Sequence, residues 1–481
     1  MVLALFGITA CGGGDDGGSN APPAPVASVT IIPSTLPLTV GETQQLTAVL
    51  RNAAGTELTG RTVTWTTSDA TVATVSTSGL VSALSTGSAT IEASSEGQTG
   101  TAAVTVAAPI PTRTFVAFTA GGAHTCALTA EGAAYCWGRG ESGQLGAPAP
   151  SSCPLDPGVF PCALAPVAVG GGLTFEQITG GGSHTCGLTV DGTAYCWGSN
   201  TSGQLGNNST TQSQVPVPVA TELHFDALDA GANHTCGVTS GGASYCWGLN
   251  DRGQLGDGTT TNRTVPVAVS GGLAFEVLTA GGFNIGHTCG VVTGGAAYCW
   301  GDNEQGQLGM GSADVDPHAL PTAVSGGLAF VSLTAGLGRH TCGLLDTGAA
   351  YCWGENTFGA LGDGSTIARA IPVPVSGGLG FTDVKAGGFI GHTCGFTDTG
   401  AAYCWGENER GQVGDGTTID RSLPSAVAGG LSFADLEAGF RHTCALTTSG
   451  TLYCWGSGAA GQLGINSTSQ RNAPAKVLGQ P

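Results

Sequence analysis

A unit of about fifty residues recurs seven times in this chain of 481 residues, and each copy has two cysteines at a fixed spacing. The triplet His-Thr-Cys begins at His124 and returns at intervals of 60, 50, 53, 53, 52 and 50 residues. Ten residues after each of these cysteines comes a second cysteine, within Tyr-Cys-Trp-Gly. Repeats of this length indicate a supersecondary unit that buries its apolar faces only by stacking on its neighbours.

The repeated segment has the pattern of a β-hairpin. In residues 124–138, HTCALT and AAYCWG form the two strands, and Gly132 ends a three-residue turn in the left-handed position that suits glycine. The register set by that turn places the two cysteines opposite each other, and His124 opposite Gly138. Opposed residues in an antiparallel pair have Cα atoms ~4.5–5.5 Å apart, which is within disulfide range. We therefore predict one disulfide inside each repeat: Cys126 with Cys136, Cys186 with Cys196, Cys236 with Cys246, Cys289 with Cys299, Cys342 with Cys352, Cys394 with Cys404, and Cys444 with Cys454.

Three cysteines lie outside the repeated hairpins. Cys153 and Cys162 both fall in the extra length that makes the first interval 60 residues, so we predict that they form an eighth disulfide. The third is Cys11, near the N-terminus. An even set of disulfides predicts an oxidising compartment outside the cytoplasm.

A metal site is the alternative for the repeated cysteines. His124, Cys126 and Cys136 share one face of the predicted hairpin and offer a zinc ion three ligands. Seven such sites would each need a fourth ligand that the repeat does not provide, so we predict disulfides, no metal and no cofactor. The acidic turns at residues 256–260, 312–318 and 414–418 are candidates for Ca²⁺, although Gly and Asp are also ordinary turn residues.

Alternation along the hairpin predicts that both faces of the sheet are covered. Tyr135 and Trp137 point away from the face of the cysteines, and the residue opposite each tyrosine is Ala or Gly, which predicts room for the tyrosine ring. Two further strands per repeat are predicted, one of them with the motif F-x-x-[LIVF]-x-[AG]-G. Four-stranded sheets, apolar on both sides and repeated seven times, predict an all-β fold in which the sheets close into a propeller.

A glycine-rich segment such as SGQLG or RGQLG follows each hairpin. Together with HT-x-[AG]-L and Y-x-WG-x-N, it resembles the regulator of chromosome condensation repeat over residues 113–480. The resemblance implies a seven-bladed β-propeller. The eukaryotic founder of the family exchanges nucleotide on a small GTPase and sits on chromatin, but thirty-three acidic against fourteen basic residues argue against nucleic acid and against that exchange activity here.

Residues 27–107 have short runs that alternate apolar and polar residues, as in SVTIIP and ATIEAS, which predict strands of a small β-sandwich. PLTVGETQQLTA and the closing TAAVTV resemble the bacterial immunoglobulin-like group 2 domain. Domains of that family commonly serve as stalks in surface proteins. Trp65 is predicted to be a core residue of this domain, and residues 12–26, rich in Gly, Pro and Ala, to be a flexible linker.

The N-terminal stretch ends in Ile8-Thr9-Ala10-Cys11. It resembles a bacterial lipoprotein signal with its lipobox, although no Lys or Arg precedes its short apolar segment. The resemblance implies that residues 1–11 contain the signal and that Cys11 is lipidated. The predicted location is the bacterial cell envelope, on the outer surface or the periplasmic face, with a lipid anchor as the only membrane contact.

No nucleophile motif, phosphate-binding loop or isolated carboxylate pair stands outside the repeat, so we predict that the protein is not an enzyme. The function predicted is binding of an extracellular protein or glycan, and the alternative is an extracellular polysaccharide hydrolase or lyase. Two insertions interrupt the repeat, and they provide Phe160 and His318 as candidate binding contacts. His224 and His318 are the two histidines outside the repeated triplet, and neither has an evident partner in the sequence.

Overall fold

The computed structural model describes residues 24–108, 112–154, 158–282, 286–388 and 391–481. Within these residues the secondary structure consists of β-strands, and two compact units divide near residue 110. None of the described segments contains a helix long and apolar enough to cross a bilayer. Cys11 and residues 12–23 of the predicted linker lie outside the described residues.

The N-terminal unit is a β-sandwich. Its buried face is built from alternating apolar residues, for example Val29 and Ile31, which are 7% and 2% exposed. Trp65 is partly buried and packs against this core, as predicted. In order of pairing, the strands of the three sheets are Ser28–Ile32, Thr47–Arg51 and Glu57–Leu58; Thr35–Thr39, Gln98–Ala107, Gly87–Ser95 and Thr64–Thr67; and Thr43–Gln45, Leu80–Ala83 and Ala73–Val75.

The second unit contains seven antiparallel sheets, which we number blades 1–7 in chain order, and the predicted fold class is confirmed. The first strands are Phe115–Ala120, Gln177–Gly180, Ala227–Ala230, Phe275–Gly281, Phe330–Thr334, Phe381–Gly387 and Phe433–Ala438. The second strands are His124–Thr129, His184–Leu188, His234–Val238, His287–Val292, His340–Leu345, His392–Thr397 and His442–Thr447. The third strands are Ala134–Arg139, Ala194–Gly198, Ser244–Gly248, Ala297–Gly301, Ala350–Gly354, Ala402–Gly406 and Leu452–Gly456. The fourth strands are Val159–Ala168, Ser213–Pro218, Arg263–Ala268, His318–Ala323, Arg369–Pro374, Arg421–Ala426 and Arg471–Lys476, and blade 1 has a fifth strand, Ser151–Pro154.

The hairpin register agrees with the turn that the sequence predicts. Cys126 lies opposite Cys136 and His124 opposite Gly138, and the same pairing recurs in the other blades. The structure contains the eight predicted disulfides, all of them within single blades. The Cα atoms of the Cys126 pair are 4.0 Å apart, closer than the predicted range.

Each repeated disulfide belongs to the core between two blades. Cys186 and Cys196 of blade 2 pack with Phe225 and Trp247 of blade 3, and all four residues are at most 2% exposed. The cysteine face of one sheet therefore covers the aromatic face of the next, as expected for sheets that are apolar on both sides.

The expectation for the small residue opposite each tyrosine is wrong in its detail. A Cβ placed on Gly187 would lie 2.5 Å from Cδ1 of Phe175, so the glycine makes room for the phenylalanine of the first strand. The ring of Tyr195 then meets Phe175 edge to face, with 6.3 Å between the ring centroids.

The repeated histidines join the blades into a closed ring. His184 Nε2 lies 2.9 Å from Thr235 Oγ1, and that hydroxyl donates to the carbonyl of Gln204 over 3.0 Å. Because the hydroxyl uses its only proton for this carbonyl, the histidine must donate from Nε2, which leaves Nδ1 without a proton. Equivalent histidine–threonine contacts occur at all seven seams between blades, and the contact of His442 with Thr125 closes the ring.

Burial keeps these histidines neutral. His184 is fully buried, and desolvation lowers its pKa to about 3, with a further contribution from the neighbouring histidines. In six of the seven histidines a protonated ring would also place an N–H at Nδ1, which has no hydrogen-bond partner in the described structure. The predicted structural role of the seven histidines is therefore supported. The zinc alternative would need free thiolates and a free histidine nitrogen, but the cysteines form disulfides and each histidine Nε2 bonds to a threonine.

Candidate functional site

The first strands of the seven blades line a central channel, which contains a cavity of about 390 Å³. The fourth residue after the conserved phenylalanine faces this cavity in every blade. Four blades have a threonine there, and three have a charged residue: Thr119, Thr179, Thr279 and Thr334 against Asp229, Lys385 and Glu437. The sevenfold repeat is thus broken at equivalent channel positions in blades 3, 6 and 7.

The threonines have a structural task. Thr119 Oγ1 accepts a hydrogen bond from the backbone N–H of Gly180 in the next blade over 2.9 Å. Thr179, Thr279 and Thr334 make the corresponding bonds. Threonine at this position therefore fastens one blade to the next at the level of the channel wall.

Asp229 also links its blade to the next one, through a carboxylate in place of a hydroxyl. Its carboxylate accepts the N–H of Ala280 in blade 4 over 2.9 Å and the hydroxyl of Thr179 over 3.2 Å. Desolvation nevertheless raises the pKa of Asp229, because these bonds only partly replace the water that a carboxylate loses on burial.

Lys385 and Glu437 replace the hydrogen bond between blades 6 and 7 with an ion pair. Lys385 Nζ lies 3.3 Å from Glu437 Oε1 and 3.3 Å from Asp383 Oδ2. The three side chains are only 28–30% exposed, through the channel. The Glu437 carboxylate is the main cause of the raised pKa of Lys385, so this lysine stays charged.

The channel wall nevertheless has excess negative charge. Desolvation raises the pKa of Glu437 to about 7 despite Lys385, and the neighbouring Asp435 contributes to that increase. The pKa of Asp435 is also raised, first by desolvation. The carboxylates of Asp229, Asp383 and Asp435 all act electrostatically on Glu437, whereas Lys385 is the one ammonium group beside them, and a bound cation would lower their electrostatic cost.

Another charged departure from the repeat lies at the seam between blades 6 and 7. Glu407 is 1% exposed, and neither of its carboxylate oxygens accepts a hydrogen bond in the described structure. The nearest cation is Arg441, whose Nε lies 3.7 Å from Glu407 Oε1, and burial raises the pKa of the glutamate. In blade 4 the equivalent Asp302 instead accepts a 2.5 Å hydrogen bond from Gln307 Nε2.

The two binding contacts chosen from the insertions occupy structural positions. Phe160 is 7% exposed and packs with the disulfide of its own insertion, so its ring is not available to a ligand. His318 begins the fourth strand of blade 4, opposite Gly301, where blades 3, 5, 6 and 7 have arginine. Its Nε2 lies 2.7 Å from Asp314 Oδ1, so this histidine also has a partner.

Arginine occupies two of the three acidic turns proposed for Ca²⁺, and His318 pairs with Asp314 in the third. Asp257 Oδ2 accepts from Arg263 over 2.6 Å, and its Oδ1 accepts from the backbone and the hydroxyl of Thr259. The turn of Asp415 has the same arrangement with Arg421. These carboxylates are already neutralised, and no cluster of potential metal ligands occurs among the described residues. His224, in another turn, has Nδ1 2.6 Å from the carbonyl oxygen of Asp191.

The channel residues were missed because they occupy variable positions of the first-strand motif. A signal was nevertheless present in the sequence. Lys385 is one of only two lysines, and it lies in the first strand of blade 6 at the position where blade 7 has Glu437. Alignment of the seven copies would have shown opposite charges in consecutive blades.

Fold and site together define a seven-bladed, disulfide-containing β-propeller that follows an immunoglobulin-like domain. The bacterial Ig-like domain (group 2) model matches residues 25–106. One model of the regulator of chromosome condensation (RCC1) repeat matches residues 131–188, 191–238, 242–282, 294–344, 347–394, 399–446 and 449–481. The chain belongs to the RCC1 repeat family.

Curated relatives share the repeat region. The ultraviolet-B receptor UVR8 of Arabidopsis thaliana is 32% identical over 314 residues, which are 64% of this chain and 56% of that protein. The E3 ubiquitin-protein ligase HERC2 of Homo sapiens is 29% identical over 317 residues, 65% of this chain but 5% of that protein. The chain therefore spans about half of the first relative and a small part of the second.

Solved structures show the same fold. Human WBSCR16 is 22% identical, with a TM-score of 0.61, over 70% of this chain and 88% of that one. Yeast RCC1 (Prp20), in a structure bound to Kap60, is 20% identical, with a TM-score of 0.60, over 76% of this chain and 85% of that one. At this level of identity the likeness concerns the fold alone.

Proposed function

We propose that this protein is a lipid-anchored component of the bacterial cell envelope whose immunoglobulin-like domain displays the propeller as a protein-binding module. The proposal for the anchor rests on the lipobox at Cys11, and the proposal for an oxidising location rests on the eight disulfides. Binding of other proteins has a precedent in the fold, since the yeast neighbour was solved in complex with Kap60.

The observation that carries the proposal is the pair of charges at Lys385 and Glu437. A repeat protein gains stability when each blade presents the same seam to its neighbour. Four blades have threonine at this position, and at each of them the hydroxyl bonds to the next blade. Lys385 and Glu437 stand where other blades have a threonine that makes a neutral hydrogen bond. Charged residues at such a position in a cavity indicate selection for function and not for packing.

The charge of the channel favours a cationic group as the part of the partner that enters it. Four interacting carboxylates are opposed by one ammonium group, and the pKa values of three of them are raised. A lysine or arginine side chain of a partner protein would offset this negative charge and fits a cavity of about 390 Å³. We therefore propose that the recognised element is a basic side chain on an extracellular protein.

Tripeptides test this proposal directly. Gly-Arg-Gly and Gly-Lys-Gly should bind to the intact protein in calorimetric titrations, whereas Gly-Gln-Gly should not. Binding should strengthen as the pH rises through 7, because Glu437 ionises in that range and only its ionised form attracts a cation. The variant Glu437→Gln should lose this pH dependence, and Asp346→Asn, on an exposed turn, should keep it. Equal binding of all three peptides would contradict the proposal.

An extracellular polysaccharide hydrolase or lyase remains the second candidate, and one observation favours it. Glu437, whose pKa is raised to about 7, lies two residues from Asp435 on the same strand, and a carboxyl group of raised pKa beside another carboxylate suits general acid catalysis. Turnover of a polysaccharide by the wild type, lost in Glu437→Gln but kept in Asp346→Asn, would replace the binding proposal with the enzymatic one.

A further inference from the structure

The seam between blades 7 and 1 is the one place where the ring of blades is closed without a covalent connection. Every blade is built from consecutive strands. The N-terminal end of the propeller therefore adds no strand to blade 7, and the C-terminal end adds none to blade 1. At the other six seams the chain passes directly from the fourth strand of one blade to the first strand of the next. The closing seam depends on noncovalent contacts, such as the hydrogen bond from Thr125 Oγ1 to the carbonyl of Gln462.

The hairpin inserted in blade 1 lies at this seam. Its strands, Ser151–Pro154 and Val159–Ala168, are joined by the Cys153–Cys162 disulfide. Phe160 and the two cysteines of this hairpin form one buried apolar cluster with Ala460, which belongs to the glycine-rich loop of blade 7. The backbone N–H of residue 466 in blade 7 also donates to the carbonyl of residue 164 over 2.9 Å, but this bond has counterparts at five other seams, so the apolar contact is what the insertion adds.

A comparison of the seven glycine-rich loops shows what the hairpin adds. In each loop we compare the residue that precedes the Gly-Gln or Gly-Ala pair. This residue is half-buried or exposed in blades 1–6, whereas its equivalent in blade 7, Ala460, is 6% exposed. The six equivalents are Ser142, Ser202, Arg252, Gln305, Phe358 and Arg410. Only in blade 7 is this residue covered, and the inserted hairpin covers it.

A cation also holds the hairpin against its own blade. Arg139 at the end of the third strand places its guanidinium carbon 5.0 Å from the centroid of the Phe160 ring. The backbone N–H of Gly140 donates to the carbonyl of Pro161 over 2.9 Å. The ring of Phe160 is therefore held to blade 1 by Arg139 and lies in the apolar cluster that includes Ala460 of blade 7.

We propose that the inserted hairpin is a clasp that closes the propeller ring, with Phe160 as its contact and the Cys153–Cys162 disulfide as the element that holds the hairpin in shape. In this role the insertion is a conformational device that keeps blades 7 and 1 together. Loss of the clasp loosens the closing seam before any other seam, because the other six retain their chain connections.

Hydrogen exchange measured by mass spectrometry on the intact protein tests the clasp. Phe160→Ala and the double variant Cys153→Ala/Cys162→Ala should each accelerate amide exchange in blades 1 and 7 about tenfold or more, which corresponds to ~1.4 kcal/mol. Blades 3–5 should exchange as in the wild type. The matched control is Cys236→Ala/Cys246→Ala, which removes a disulfide of blade 3 and should accelerate exchange there.

Two results would overturn the proposal. One is unchanged exchange in blades 1 and 7 of Phe160→Ala, a variant that keeps every disulfide and so tests the contact even where the double cysteine variant fails to fold. The other is an equal acceleration in all seven blades, which would show that the hairpin stabilises the propeller in general and does not close a particular seam.

Discussion

Lys385 of blade 6 and Glu437 of blade 7 form an ion pair across the seam between their blades, with 3.3 Å between Nζ and Oε1. The same seam contains Glu407, a buried carboxylate whose oxygens accept no hydrogen bond in the described structure. Three charged departures from the repeat, Lys385, Glu437 and Glu407, therefore lie at one seam of the ring. A binding protein needs such an asymmetry, because seven identical blades would offer seven equivalent positions to one partner.

Removal of the lysine should destabilise the propeller and raise the pKa of its partner further. Lys385→Met leaves Glu437 and Asp383 without their cation, and we expect a loss of ~1–3 kcal/mol, because the pair lies between the fully buried and the exposed case. Urea unfolding followed by tryptophan fluorescence measures the loss. The double variant Lys385→Met/Glu437→Gln should recover part of it, and a fully additive double variant would show that the two side chains do not interact.

One histidine of the ring can be compared with one outside it. His184→Ala removes the donor to Thr235 and leaves a cavity at a fully buried site, so we expect a loss of ~2–4 kcal/mol in unfolding free energy. His224→Ala changes an exposed residue and should stay within ~0.5 kcal/mol of the wild type. Similar losses in both variants would argue against the histidine–threonine ring as a source of stability.

The ring should make the propeller sensitive to acid. Folding lowers the pKa of the histidines, from 6.5 to about 3 for His184 and about 4 for His124, so the unfolded chain binds protons first as the pH falls. Stability is then complete above pH 6.5 and decreases towards pH 4, by up to ~1.4 kcal/mol per histidine and pH unit. Buried carboxyl groups whose folded pKa is raised act in the opposite direction, among them Glu437, Asp229 and Glu407, and they offset part of the loss that the seven histidines cause.

The immunoglobulin-like unit is the internal control for this pH dependence. No histidine occurs between residues 24 and 108, whereas the propeller contains all nine. Urea midpoints measured between pH 8 and pH 4.5 should fall for the propeller, which contains seven of the eight tryptophans, and change little for the first unit. A propeller midpoint that is constant over this range would contradict neutral buried histidines.

Much of the fold could be predicted because its sequence pattern recurs in seven repeats. The spacing of Cys126 and Cys136 and the glycine turn between them determine the hairpin register, and the register determines the disulfide. Face assignment by alternation was equally reliable, since the cysteines and Trp137 do lie on opposite sides of the sheet. Alternation does not show which aromatic ring packs over a given glycine. Phe175 comes from another strand, and the sequence therefore did not predict it as the neighbour of Gly187.

The candidate site was harder to predict, because its residues come together only after the ring closes. Lys385 and Glu437 are 52 residues apart in number, and nothing local in either strand indicates their contact. The insertions attracted attention for their irregularity, but Phe160 and His318 are engaged in contacts within the fold. The insertions that lengthen two repeats proved to be structural elements. The charged residues that replace threonine at a fixed position of the repeat marked the candidate site.

The disulfides should resist reduction while the propeller is folded. All sixteen cysteines of the eight pairs are 0% exposed, so a phosphine reductant reaches the sulfur atoms only after a blade opens. Native protein at pH 7 should therefore show no alkylated cysteine among these sixteen in peptide mapping, and urea-unfolded protein should show all of them. The Phe160→Ala variant provides the sharper comparison, because its clasp is loosened while every disulfide is kept. In that variant Cys153 and Cys162 should be labelled first, and equal labelling of all eight pairs in the native wild type would contradict the buried core that the structure shows.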